Sequence, residues 1–148
     1  MGDAAVEKGR IIDATDARLG RLASYVAKLI MKGERVTIIN AEKAIITGDP
    51  DVVAEKYLER RRRGSPHHGP FFPKRPDLIV YRAIRGMVPR KKSKGREALR
   101  RLTVYMGEPK NIKSDEVIKF REMQNPVECR FIRIEELSKR LGWVDKRV

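Results

Sequence analysis

The first forty residues change their hydrophobic period twice, which predicts a strand, a helix and a second strand. Residues 10–15 contain two adjacent isoleucines followed by polar positions, as in a short strand. Residues 34–40 show the same apolar pattern. Between them, 16–33 place apolar side chains at helical spacing, and the predicted inward set is Leu19, Leu22, Ala23, Val26, Leu29 and Ile30. A strand, a helix and a strand joined by short links form the βαβ unit of a parallel sheet.

Cap residues mark where the helices begin and end. Thr15 or Asp16 is able to cap the start of the first helix, and Gly33 its end. Asp49, followed by a proline, is placed to cap a second helix that Gly64 ends. This second helix has a thin predicted apolar face consisting of Val52, Val53 and Tyr57.

The middle of the chain predicts a strand, a loop and a third helix. Residues 44–47 form a short apolar run typical of a strand. Residues 64–77 hold four prolines and two glycines, which indicates a surface loop. Residues 78–88 fit a helix that presents Arg82 and Arg85 together, and its predicted inward residues are Leu78, Tyr81, Ile84 and either Met87 or Val88.

The remainder alternates basic and apolar stretches. Pro89 starts a basic loop through residue 96, after which a short helix runs to Leu102. Residues 102–106 alternate as a strand does, and 130–143 predict a strand that leads into a helix. The inward residues predicted for that last helix are Ile134, Leu137 and Leu141.

Together these elements predict a three-layer α/β/α fold with a small, largely parallel sheet of about four strands. A chain of 148 residues matches a single domain, 1–148. Within it we distinguish a basic segment, residues 56–101, and a C-terminal extension from about 113 to 148.

Charge is concentrated in one part of the chain. The net charge is +14. Residues 56–101 hold 16 Lys or Arg against three carboxylates, whereas the rest of the chain has 18 against 17. Self-repulsion disfavours such a concentration unless a partner neutralises it. The distribution predicts a nearly neutral frame that carries a cationic segment for a polyanion.

Four consecutive arginines, 60–63, close the second predicted helix. Cations are favoured in a last helical turn, but consecutive residues sweep round a helix at about 100° each. Some of the four must therefore meet an anion or lie along the body of the protein. In the following loop Phe71 and Phe72 stand beside cations; they either stack on unpaired bases or anchor the loop to the core.

Signs of enzymatic chemistry are weak. His67, His68 and Cys129 are too few ligands for tetrahedral zinc. The sequence has no Walker loop, no dinucleotide fingerprint and no nucleophile beside a base. It also has no secretory signal and no apolar run of the roughly 20 residues that span a bilayer. We expect a soluble protein that is not an enzyme, with no cofactor, metal, membrane or small-molecule substrate.

Two ordered blocks resemble a known family. Residues 85–107, RGMVPRKKSKGREALRRLTVYMG, resemble the signature of the universal large-subunit ribosomal protein L13 family, and 11–24, IIDATDARLGRLAS, resemble its opening. Residues 60–91 are similar to the archaeal and eukaryotic branch. The matching signature positions are Arg85, Gly86, Met87, Pro89, Gly95, Leu102, Val104, Tyr105 and Gly107.

The resemblance implies a structural constituent of the large ribosomal subunit in the cytoplasm. Its expected partners are large-subunit ribosomal RNA, whose assembly it would support, and neighbouring ribosomal proteins. Gly86 and Gly95 either let the backbone approach RNA closely or only permit turns. The alternatives are a free-standing nucleic-acid regulator and, on fold analogy alone, a nucleotide-binding enzyme. The residues expected to bind RNA are Arg60, Arg61, Arg62, Arg63, His68, Lys74, Arg75, Arg82, Arg85, Arg90, Lys91, Lys92, Lys94, Arg96 and Arg100.

Overall fold

A computed structural model describes residues 9–62, 72–109, 117–118 (backbone only) and 130–144. The regular elements in chain order are β1 (Arg10–Asp13), α1 (Leu19–Met31), β2 (Val36–Ile39), a 3-10 turn (Ala41–Lys43), β3 (Ile45–Thr47), α2 (Pro50–Arg62), α3 (Pro76–Arg85), α4 (Ser93–Arg100), β4 (Leu102–Val104), β5 (Val117–Ile118), β6 (Phe131–Arg133) and α5 (Ile134–Arg140).

Four strands form a parallel sheet in the order β4-β2-β1-β5. The βαβ unit is present as predicted: β1 and β2 pair with Ile12 opposite Ile38, and α1 connects them. Ile12, Ile38 and Leu22 of α1 are fully buried in the same core. The predicted α/β class with a largely parallel sheet of about four strands is confirmed.

The prediction for the start of α1 was wrong. The helix begins at Leu19, its N-cap is Arg18, and that residue makes no capping hydrogen bond with its side chain. Thr15 instead donates to the buried Asp13 carboxylate, from its backbone N–H at 2.9 Å and its hydroxyl at 2.7 Å. Asp16 adopts a left-handed conformation with φ of 61°. The polar groups at the end of β1 therefore satisfy a buried acid and do not cap the helix.

The end of the signature stretch is bound to β2. After β4, the Tyr105 N–H donates to the Ile38 carbonyl at 2.8 Å. Gly107 then makes two bonds: its carbonyl accepts from Asn40 N–H at 3.0 Å, and its N–H donates to Glu42 Oε1 at 3.0 Å. These bonds fix the far end of the basic segment to the frame.

The C-terminal strand and helix were predicted correctly. β6 pairs antiparallel with β3, with Ile45 opposite Arg133, and Ile134 and Leu137 of α5 are fully buried. Leu141 is also buried, as predicted. Three ion pairs tie this part of the chain to earlier segments: Arg130 with Asp49 at 2.9 Å, Arg133 with Asp16 at 2.8 Å and Arg140 with Asp51 of α2 at 2.9 Å. Residues 130–144 thus contribute to the same core as the βαβ unit.

Helix α2 is capped as predicted but buries a different side chain. The Asp49 carboxylate accepts a bond from Asp51 N–H at 2.9 Å. Val53 and Tyr57 pack against the core as predicted. Val52 is 66% exposed, contrary to the prediction, and the fully buried residue is Ala54. Because Ala54 faces the core, the neighbouring position Val52 lies about 200° away round the helix, on the solvent side. The predicted stop at Gly64 lies outside the described residues.

Helix α3 begins two residues earlier than predicted, with Pro76 at its first position. Its buried residues are Pro76, Ile79, Val80 and Ile84, followed by Val88. Leu78, predicted to point inward, is 42% exposed. Of the two alternatives given for the end of this helix, Val88 is buried and Met87 is 49% exposed. The buried set includes a run spaced by four residues, because α3 packs mainly against α1 along one ridge.

Candidate nucleic-acid interface

Thirteen of the fifteen predicted RNA-binding residues lie in the described parts of the chain. They occupy the last turn of α2, the approach to α3, α3 itself, and the turn and helix that follow it. Arg63 and His68 lie outside the described residues. The thirteen form two groups on two surfaces, one where α2 and α3 meet and one on α4 and the turn before it.

The first group surrounds the ring of Phe72, where α2 and α3 meet. The Phe72 and Tyr57 rings form an edge-to-face pair with centroids 5.3 Å apart. The Arg60 guanidinium lies 5.0 Å from the Tyr57 centroid and 5.8 Å from that of Phe72. The Arg82 guanidinium lies 5.0 Å from the Phe72 centroid. Two predicted RNA-binding arginines from different helices therefore share one aromatic ring.

These side chains line a cavity of about 300 Å³, which we call the arginine groove. Burial raises the pKa of the Tyr57 hydroxyl above its ordinary value of 10.0, and the nearby Arg60 charge lowers it in part. The hydroxyl therefore stays protonated at neutral pH. The lining consists of Tyr57, Arg60, Phe72, Ile79, Arg82, Ala83, Gly86 and Met87.

The sequence leaves two roles open for Phe72: stacking on an unpaired base, or anchoring the loop to the core. Phe72 is half-buried and packs against the core, so it anchors the chain before α3, while its ring also lines an open groove. The neighbouring Arg61 donates to the Phe72 carbonyl at 2.8 Å, and Arg62 pairs with Glu55 at 3.4 Å. As expected from the helical sweep, Arg60 and Arg61 lie along the protein body.

Two further predicted residues precede α3. Arg75 pairs with Asp77 at 3.1 Å, whereas Lys74 is exposed. Arg85, in the last turn of α3, is half-exposed. The Asp77 side chain is only 15% exposed, whereas that of Arg75 is 51% exposed and stays accessible to a partner.

The second group is the α4 basic cluster, defined as Arg90, Lys91, Lys92, Lys94, Arg96 and Arg100. All six side chains are exposed. Among the described residues, none of the six forms an ion pair with a carboxylate. The Arg96 guanidinium donates to the Lys91 carbonyl at 3.0 Å, which fixes the turn before the helix. The cluster is therefore an ordered cationic surface.

The loop predicted over 89–96 was wrong in its second half, because α4 already begins at Ser93. Gly95 explains the difference. It is buried, and a Cβ built on it would lie 2.0 Å from the Pro89 carbonyl oxygen. Only a residue without a side chain lets the first turn of α4 pack this closely on the preceding turn. This contact within the protein is a reason for glycine that the sequence did not indicate.

One cation of the basic segment faces inward. The Arg101 guanidinium donates to the Ile30 carbonyl at 2.7 Å and so satisfies a carbonyl in the last turn of α1. Sequence counting cannot distinguish such an arginine from one that faces RNA. Sequence reasoning also did not include Tyr57 and Met87 in the site. Tyr57 stands three positions before Arg60, on the same side of a helix, and that spacing was the available signal.

Comparison with known families finds a match that covers both of these surfaces. The model of a family described as ribosomal protein L13 matches residues 7–111, which include the arginine groove and the α4 basic cluster. The chain belongs to the ribosomal protein L13 family. Curated relatives named large ribosomal subunit protein uL13 confirm that the chain is of the archaeal type predicted.

The family relatives match over almost their whole length. The Methanopyrus kandleri protein is 46% identical over 142 residues, covering 93% of this chain and 89% of the relative. The Methanocaldococcus jannaschii protein is 47% identical over 136 residues, covering 89% and 96%. The Natronomonas pharaonis protein is 41% identical over 142 residues, covering 96% of each. In the described part of this family member, no helix is long and apolar enough to cross a membrane.

Proposed function

We propose that this chain is a non-enzymatic structural constituent of the large ribosomal subunit, where it binds large-subunit ribosomal RNA and supports its assembly for translation. Its location is accordingly the ribosome in the cytoplasm. The names of its relatives place those proteins in the large subunit. Neighbouring ribosomal proteins are the second class of partner. We further propose that 1–148 act as one domain, in which about 113–148 extend the family region.

The observation that carries this proposal is the α4 basic cluster on a nearly neutral frame. Six exposed cations stand on a short helix and the turn before it, and close packing at Gly95 fixes that turn. Bringing fixed cations to phosphates costs less conformational entropy than ordering a mobile tail. A preformed surface also favours an RNA of matching shape over any polyanion.

The two kinds of cation have different roles. Arginine grips two phosphate oxygens with its planar fork, whereas lysine acts as a compact point charge. Lys91, Lys92 and Lys94 therefore supply attraction that depends on salt, while Arg90 and Arg96 orient the backbone. Phosphate contacts fix position on RNA and carry no sequence information directly.

The test is binding of the purified chain to large-subunit ribosomal RNA fragments and to unrelated RNA of equal length, across a salt series. If about eight cations meet phosphates, log affinity falls against log salt with a slope of roughly −6 to −7. The double variant Lys91→Glu, Lys92→Glu should reduce the magnitude of that slope by about 2. A preference for particular ribosomal fragments at moderate salt supports the proposal.

The matched control is Lys32→Glu with Arg35→Glu, which makes the same charge change on exposed residues outside the basic segment. We expect this pair to weaken binding much less than the α4 pair. Equal weakening by both pairs would mean that only net charge matters. Equal affinity for every RNA would contradict a role at a defined ribosomal position.

A further inference from the structure

The arginine groove differs chemically from the α4 basic cluster, although both are cationic. Its walls combine two aromatic rings with the side chains of Ile79, Ala83 and Met87. Its volume of about 300 Å³ lies at the small end of ligand pockets, which run from roughly 300 to 1,000 Å³. The groove is therefore large enough for one small planar group and too apolar to be only a seat for phosphate.

The rings hold both guanidinium groups in place before any ligand arrives. Arg82 lies over Phe72, and Arg60 lies over both Phe72 and Tyr57. A guanidinium stacked on a ring is planar, keeps its second face available and presents hydrogen-bond donors at its edge. The groove thus offers flat cationic surfaces together with donors, in a setting that excludes part of the surrounding water.

This combination matches an unpaired nucleobase. Proteins read single-stranded RNA by stacking unpaired bases on aromatic rings or arginine planes and by hydrogen bonds to the base edges. A phosphate could accept hydrogen bonds from the same guanidinium edges, but it would also lose hydration against the apolar wall, which is unfavourable. A base loses little, because its faces are apolar and its edge carries acceptors for the arginines.

We propose that the arginine groove receives one unstacked nucleobase of the bound RNA, stacked against the guanidinium of Arg82 or Arg60. This inference rests on the proposed function and adds a contact of a different kind to it. The α4 basic cluster holds the backbone, whereas the groove accepts a base that has left its helix. Gly86 lies in the lining of the groove and has no side chain to fill it. Packing within the protein does not require this glycine, because a Cβ there would meet only ordinary contacts at 3.6 Å.

The experiment uses the large-subunit ribosomal RNA fragment that the wild-type chain binds most tightly. The fragment is prepared with single abasic nucleotides at each unpaired position. Each version is titrated with wild-type protein and with Arg82→Lys, which keeps the charge but removes the planar group. For one position, loss of the base should weaken wild-type binding by about fivefold to a hundredfold. That abasic fragment should then bind wild type and Arg82→Lys nearly equally.

Such non-additivity is the signature of direct contact between the base and the arginine. The salt slope of Arg82→Lys should equal that of wild type, since the charge is unchanged. Arg35→Lys, an exposed arginine outside the basic segment, should lower affinity for no fragment. Phe72→Leu should reproduce the effect of Arg82→Lys, because it removes the ring that orients the guanidinium groups.

Two results would overturn the inference. In the first, Arg82→Lys and Arg60→Lys both bind the intact fragment as tightly as wild type. In the second, the effect of every abasic position adds independently to the effect of each arginine variant. If circular dichroism shows that Arg82→Lys has lost its fold, Arg60→Lys takes its place under the same criteria. Failure of the proposed function gives a different result. In that case wild-type protein does not distinguish ribosomal fragments from unrelated RNA, whatever happens in the variants.

Discussion

Replacing Gly95 by alanine tests the packing that fixes the α4 basic cluster. The added Cβ would lie 2.0 Å from the Pro89 carbonyl oxygen, 2.4 Å from its carbonyl carbon and 3.0 Å from the Arg90 nitrogen. All three atoms belong to the backbone, so no side-chain rotation relieves the clash. The Pro89 carbonyl also accepts from the Lys92 N–H at 3.0 Å, and displacing it strains that bond.

Two opposing effects set the magnitude of this change. Alanine favours helix over glycine by up to about 1 kcal/mol. Overpacking a close contact costs typically about 1–3 kcal/mol and more where backbone must move. Because backbone must move here, we take the cost as about 2–4 kcal/mol, so that Gly95→Ala should lower the free energy of unfolding by about 1–3 kcal/mol net. For a chain of this size, that corresponds to a fall in Tm of about 3–10 °C.

Gly20 supplies the matched control. It also lies in the first turn of a helix, α1, but a Cβ there meets no atom within 4 Å. Gly20→Ala should leave stability unchanged or raise it by up to about 1 kcal/mol. Thermal unfolding followed by circular dichroism compares the two variants directly. If Gly95→Ala is as stable as Gly20→Ala, the close contact with Pro89 does not exist as described.

Three further predictions concern the frame. Leu22→Ala should destabilise the protein by about 2–5 kcal/mol in urea unfolding, because Leu22 is fully buried; a loss near zero would show that α1 is not packed as described. Ile132→Ala should cost a similar amount if β6 belongs to the same core, whereas an unchanged midpoint would separate 130–144 from it. The backbone N–H of Asp51 and then Arg130 hold the pKa of Asp49 below 3.8. Because the folded pKa is lowered, this stabilisation is present above about pH 4 and is lost as pH falls through the folded value. The Tm difference between wild type and Asp49→Asn should therefore shrink in acid; a constant difference would refute the stabilisation of the Asp49 charge by the Asp51 N–H and Arg130.

Elements with a strong local period could be predicted from the sequence. Helix α1 and the strand and helix after residue 130 follow apolar spacing that tertiary contacts do not override. In α3 the predicted inward residues Ile84 and Val88 are buried, and Tyr81 packs against the core. Leu78 is exposed instead, because the phase at the start of the helix depends on packing against α1, which the sequence of α3 does not contain. The cap of α1 failed for a similar reason: Thr15 is engaged by Asp13, whose burial follows from the sheet.

The candidate site was predictable as a charged segment but not as a shape. Counting cations located the α4 basic cluster, yet it also included the inward-facing Arg101 in the total. The arginine groove forms where α2 and α3 meet at Phe72. It brings together Tyr57 and Arg82, which are far apart in the chain. Such a meeting leaves no periodic signal. Gly95 likewise looked like a loop glycine, because its contact with Pro89 exists only after α4 has formed.

The order of strands has a consequence for how the chain is made. Strand β1 is synthesised well before β5, with which it pairs, and β3 well before its partner β6. Contacts this distant in sequence form slowly and require most of the chain to be present. The cationic segment therefore leaves the translating ribosome before the frame that shapes it can close. During that interval it attracts any nearby RNA without selectivity. Rapid release and folding, or shielding by an acidic chaperone, would protect the nascent chain until its binding surface has its final form.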